Sequence, residues 1–285
     1  MFPETDTKFP SEVELEIQSV FHEMFPDADR YFVQKVFTWA NACFTGQYRD
    51  YQAIDARYHD FEHTLQGALC LARLLYRRHA VSAIPVLPQK MFELGLLAIL
   101  LHDTGYLKKK EDTEGTGAKY TLIHVSRSSG FAALLLGEKG YSAPDIRTIQ
   151  HMIRCTGVNV DLKSIPFDNE LDRLVGFGLG TADLLGQMAA NDYVPKLPIL
   201  YAEFAESARY NDGKMTSAGS FASAEDLMRK TPLFWEHYVR PKIERDFEGL
   251  YRFLNMPFPD GPNYYLDRIK ANIARLQQQM AMRAA

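Results

Sequence analysis

Apolar residues recur along this chain at helical rather than alternating spacing. Val13, Ile17, Val20, Phe21 and Met24 form a stripe at intervals of three and four, behind Ser11 and Glu14, whose separation is that of a capping box. A second helix is predicted from Asp29 to Phe44. Between Gly46 and Tyr58 no period is clear, and Leu65, Leu69, Ala72 and Tyr76 then resume a helix that should begin near His59. Pro88 suits a first helical turn. The stretch from Met91 to Leu101 is apolar nearly all round, as in a helix buried on every side, with His102-Asp103 at its end and Gly105 as its stop.

Further helices are predicted at about Thr121 to Gly137, Pro144 to Arg154, Asn169 to Ala190, Leu197 to Ser207, Ser223 to Lys230, Pro232 to Leu254 and Asn263 to Met282. A loop is expected at Asn211-Asp212-Gly213 and Ala218-Gly219-Ser220. Strand signals are weak throughout, so the expected fold class is all-α, a multi-helix bundle. No linker rich in Pro, Gly or Ser separates the chemically interesting residues between His63 and Asp183, which places them in one core within a single domain, residues 1–285. Residues 211–285 read either as an appended helical layer or as the rest of that domain.

Composition narrows the function classes mainly by exclusion. A net charge of −4 with 24% charged residues argues against a broad nucleic-acid surface, which shows as a basic excess. Cys43, Cys70 and Cys155 are odd in number and form no Cys-x-x-Cys pair, so neither a disulfide framework nor a thiolate zinc site is expected. The longest apolar run, Leu94 to Leu101, is too short to cross a bilayer, and the acidic N-terminus does not resemble a secretory signal. A cytoplasmic protein without a membrane partner is the expectation.

Histidine carries the chemical signal. Five of the eight histidines, His59, His63, His102, His124 and His151, fall within or at the ends of apolar helices, and histidine is not a default core residue. His59 and His63 are four apart, so on one helix they would share a face, turned either to a common site or to solvent. The Asp103 carboxylate follows a run that should be buried, and Asp183 lies in another, from Leu174 to Ala190. Buried carboxylates need cationic partners. A cap or a salt bridge could answer Asp103 alone; a divalent metal answers both carboxylates and the imidazoles together. Arg127 and Arg154 each follow a histidine by three residues, which suits either a phosphate clamp or solvated surface positions. Lys108, in the run Lys108-Lys109-Lys110, belongs to a solvated loop that could add one phosphate contact.

Three blocks, Tyr58-His59-Asp60-Phe61-Glu62-His63-Thr64, Leu101-His102-Asp103-Thr104-Gly105-Tyr106 and Thr181-Ala182-Asp183, resemble the HD-domain metal-dependent phosphohydrolases in the order His, His-Asp, Asp. The first block is also similar to the Tyr-His-Asn segment of cyclic-nucleotide phosphodiesterases, with Asp60 in place of the asparagine. The resemblance covers about residues 50–205. It implies that His63, His102, Asp103 and Asp183 hold one metal, that Asp103 bridges to a second held by His124 and His151, and that His59 gives a proton to the leaving oxygen. The implied cofactors are two divalent ions (Fe, Mn, Mg or Zn), and the implied substrate is a small phosphoester such as a nucleotide, a cyclic nucleotide or a phosphorylated metabolite. No lysine follows Gly105 as in the bacterial cyclic-dinucleotide group, and no Gly-Tyr-Pro lies near Asp183, so that specific activity is not implied. Two other outcomes share the scaffold: a mixed-valent di-iron oxygenase such as inositol oxygenase, and a non-catalytic nucleotide-sensing domain.

Overall fold

The computed structural model describes residues 4–211 and 221–284. The predicted helices form, with ends set by local chemistry. Helix α1, Pro10–Met24, opens on a proline, which has no N–H to leave unsatisfied; Phe9 is the cap residue, so the capping box expected of Ser11 and Glu14 does not form. Helix α2 spans Phe32–Phe44 and α3 spans Phe61–Ala80. Asp60 caps α3 by accepting the His63 backbone N–H at 2.9 Å, which leaves His59 outside the helix, a correction to the shared-face expectation. Helix α4, Gln89–Leu101, is followed by single 3₁₀ turns at Thr104–Tyr106 and Gly117–Tyr120.

Helices α5 (His124–Glu138), α6 (Ala143–Arg154) and α7 (Glu170–Ala189) follow; Ser142 and Asn169 cap the last two by accepting the backbone N–H of Asp145 and Asp172. Helix α8, Tyr193–Tyr210, starts before the predicted Leu197 because Pro195 sits in its first turn, where no N–H is needed. Helix α9, Ala224–Phe234, runs through Pro232 and merges into wide π turns at Trp235–Val239 and Lys242–Asp246, then a 3₁₀ turn at Leu250–Leu254. The separate helices expected on either side of Thr231 are therefore one element. Pro232, with no N–H to give, lies inside the α-helical part, and Pro241 lies between the two π turns. Helix α10 is Tyr264–Ala284. From Asp212 on, the loop expected before α9 lies outside the described residues.

Among the described residues β-structure is limited to the isolated bridges Tyr51–Lys109 and Asn255–Asn263, and the fold is all-α. No described helix is long and apolar enough to cross a membrane. The three cysteines are buried free thiols, whose titration burial pushes up to about 12.

Helices α3 and α7 are the most extensively packed pair, with α4 against both. They approach backbone to backbone: a Cβ on Gly186 would stand 2.7 Å from the Gln66 carbonyl, and one on Gly67 3.8 Å from the Asp183 Cα. Around this pair one continuous cluster of buried apolar side chains runs from Val13 to Leu276. It includes Leu227, Trp235, Ile243, Phe247 and Ile269 from the C-terminal segment.

Candidate metal centre

The first turn of α3, the end of α4 and the middle of α7 deliver four side chains to one buried point. His63 Nε2 lies 3.3 Å from Asp103 Oδ2 and 3.3 Å from Asp183 Oδ1; His102 Nε2 lies 3.3 and 3.5 Å from the same two oxygens. One donor atom from each of His63, His102 and Asp103 falls within 4.8 Å of the others. All four residues are buried. Asp103 also stands at the C-terminal end of α4, where the helix dipole disfavours a carboxylate. His102 Nε2 and Asp103 Oδ2, although close, are fully buried and make no hydrogen bond of acceptable geometry. Two imidazoles and two carboxylates thus face one another with their donor atoms inward and incompletely satisfied.

Their charges are coupled. Burial alone would lower the titration of both imidazoles, but Asp103 and Asp183 outweigh it, raising His63 to about 9 and His102 well above the ordinary histidine value. Burial likewise works to raise the two carboxyls, and the same histidines hold both well below the usual carboxylate range. In its neutral form His102 must carry its hydrogen on Nδ1, which donates to the Ile99 carbonyl at 2.7 Å, leaving the Nε2 lone pair for a ligand. His124 is built the same way, with Nδ1 against the Thr121 carbonyl at 2.7 Å. Its Nε2 is 3.8 Å from Asp103 Oδ1, the outer oxygen of the same carboxylate, and burial holds its titration below the usual value.

The other neighbours fix these groups in place. Gly105 brings its backbone against α5: a Cβ there would stand 2.0 Å from the His124 carbonyl oxygen, and its N–H donates to Ser128 Oγ at 2.8 Å. Gln187 donates to the Asp183 carbonyl at 3.1 Å and accepts the Tyr58 hydroxyl at 2.9 Å. His59, just before α3, places Nδ1 2.6 Å from Glu203 Oε2 on α8, while Glu203 Oε1 accepts the Tyr58 N–H at 2.7 Å. Glu203 is buried, and although burial works to raise its carboxyl, His59 holds it low. It had no mark in the sequence, being one of two glutamates in α8, with Glu206. A small cleft beside His63 is lined by Tyr58, Gln66, Gln187, Tyr193 and Lys196.

Four sequence-derived site residues are not among these donors. His151, in the last turn of α6, stands perpendicular to the ring of Phe167, which in turn packs over Gly176, two turns of α7 before Asp183. Burial and then Arg154 hold its titration low. Arg154 lies in the same last turn. Arg127 is committed to structure: Nε donates to the Gly105 carbonyl at 2.7 Å, Nη2 to the Leu107 carbonyl at 2.6 Å, and the guanidinium lies 3.5 Å over the Tyr120 ring. Lys108 is buried rather than solvated, its Nζ 2.9 Å from Asp55 Oδ2 and 2.6 Å from the Gly115 carbonyl. These two cations brace the chain around Gly105 and Gly115.

The donor set suits a divalent ion. Imidazole nitrogen and carboxylate oxygen without thiolate fit Zn, Fe or Mn, and such an ion would satisfy the buried His102 and Asp103 atoms that nothing else meets. No functionally curated protein matches the chain. A family model described as Npun_R2479-like matches residues 15–256, a span that contains every member of the centre, and the chain belongs to that family.

Proposed function

We propose that this chain is a metal-dependent phosphohydrolase of the HD-domain type. The observation that carries the reading is the inward-facing set of His63, His102, Asp103 and Asp183, with His102 Nε2 and Asp103 Oδ2 buried and unpartnered. These four residues would hold the ion. A divalent ion supplies polarisation of a phosphoryl oxygen and acidification of a bound water, to a pKa of about 7 in well-studied cases.

The chain's own groups supply the rest. His59, outside the four-donor set, gives a proton from Nε2 to the leaving ester oxygen, and Glu203 at 2.6 Å from Nδ1 fixes the ring and balances its charge. Asp183 is kept in place by Gln187, which Tyr58 holds from the other side. His124 and Asp103 Oδ1 offer two donors for a second ion. The di-iron oxygenase reading shares this ligand set; what favours hydrolysis is His59, set by Glu203, an acid that ester cleavage uses and oxygen activation does not.

Metal analysis of the purified protein, then a phosphoester screen with Mn²⁺, Mg²⁺, Fe²⁺ and Zn²⁺, tests the proposal. Turnover should be abolished in His102→Ala and Asp103→Ala with the helical fold retained. Oxygen consumption on phosphate-free substrates, with no ester turned over, would reverse the choice.

A further inference from the structure

Two imidazoles of the site rest on the same aromatic ring. Tyr106, fully buried in the turn after Asp103, stacks on His59 with centroids 4.6 Å apart and planes 18° apart, and on His124 at 4.9 Å and 20°. The His59 and His124 centroids are only 6.0 Å apart, too near for rings on opposite sides of a third, so both lie on one face of the tyrosine. Such offset stacking is a preferred aromatic geometry. The buried Tyr106 hydroxyl makes no hydrogen bond of acceptable geometry, although the Thr121 side chain lies beside it.

Each imidazole is therefore fixed twice. One hydrogen bond pins Nδ1, on Glu203 for His59 and on the Thr121 carbonyl for His124; a single bond of that kind still lets the ring pivot about it. The flat face of Tyr106 removes that freedom, and with it the two Nε2 atoms have settled directions. Tyr106 in turn is placed by Asp103, whose carbonyl accepts its N–H at 3.2 Å, and by Gly117, where a Cβ would stand 2.2 Å from the Tyr106 carbonyl oxygen. The plane on which both rings lie is thereby tied to the residue that carries the metal-facing carboxylate.

We infer that Tyr106 is a positioning residue: its ring face sets the planes of the proton donor His59 and of His124 relative to Asp103. The inference about catalysis rests on the phosphohydrolase reading; the ring geometry does not. In the step concerned, water oxygen bonds to phosphorus, the bond from phosphorus to the ester oxygen breaks, and that oxygen leaves with the His59 proton. The proton lost by water goes to solvent, from which His59 is recharged.

The test compares Tyr106→Phe, which keeps the face, with Tyr106→Leu, which keeps the bulk and loses it. Imidazole proton resonances, assigned with His59→Asn and His124→Asn, should be shifted upfield by the ring in the natural protein and in Tyr106→Phe, and relax toward ordinary histidine positions in Tyr106→Leu. With an alkyl phosphoester, Tyr106→Leu should lose about 10²-fold in kcat, the scale of a small misplacement of a reacting group. KM and the occupancy of the site formed by His63, His102, Asp103 and Asp183 should hold, and Tyr106→Phe should restore the rate. Equal rates in the two variants, or resonances that do not move in Tyr106→Leu, would overturn the positioning role. Shifted resonances in a protein that hydrolyses no ester would leave the ring geometry standing and defeat the proposed activity instead.

Discussion

Loading the centre with a divalent ion should expel protons, and the amount can be worked from the four-residue cluster. In the metal-free protein the two carboxylates raise His63 to about 9. At about pH 7, two units lower, only about one chain in a hundred has the His63 lone pair free, so displacing that proton costs an ion about 2.7 kcal/mol. His102, raised by the same neighbours, adds a second proton. Calorimetric titration of Zn²⁺ into metal-free protein, in two buffers of different ionisation heat, counts the protons directly. Between one and two should leave per ion near neutral pH, and the affinity should climb about tenfold per pH unit for each proton until His63 titrates. The same groups set the stability of the metal-free fold. A histidine raised above its ordinary 6.5 contributes stability in full below that value and loses it as pH rises through about 9, so Tm should fall across this window without metal and stay level with it. Uptake without proton release near pH 7, or an affinity flat with pH, would refute the coupling of His63 to Asp103 and Asp183.

Three further outcomes separate chemistry from scaffold. Glu203→Gln should keep its metal but turn over alkyl esters about ten- to a hundredfold more slowly, with nitrophenyl esters little affected; equal losses on both would count against a proton-donor role for His59. Lys108→Met should lower stability by about 1–3 kcal/mol in a denaturant melt, from loss of the Asp55 and Gly115 contacts, with KM unchanged; a raised KM would return Lys108 to the substrate. Gly105→Ala, whose new Cβ would stand 2.0 Å from the His124 carbonyl oxygen, should cost on the order of 3 kcal/mol or more, and an unaltered melting curve would show that α5 has room to move.

How far the site was legible depended on whether its signal was local. His63, His102, Asp103 and Asp183 stood out because each places a polar group in an apolar helix, where burial demands a partner, and the structure brings them together. The start of α3 was misjudged by two residues because Asp60, read as part of a motif, is the helix cap. His59 nonetheless meets His63, their centroids 5.4 Å apart, by a route that helical spacing does not describe. Arg127 was read from its spacing to His124 and Lys108 from a lysine run, and neither pattern shows the carbonyls left open by the turns at Gly105 and Gly115 that these cations meet. Glu203 could not have been found, since its partner lies 144 residues away and one of two glutamates in α8 has no pattern of its own. The π turns after Phe234 were hidden as well, because apolar periodicity survives a change of hydrogen-bond register.

The glycine contact between α3 and α7 has a consequence for ion choice. Gly186 follows Asp183 by three residues, and Gln66 and Gly67 follow His63 by three and four, so the ligands ride one turn from the point where the two main chains touch. The spacing of the two helices is thereby gauged by backbone thickness, which no rotamer can adjust. Were an ion held there, the two main chains could not close further on a smaller one, and even a single methyl at position 186 would act as a wedge between them.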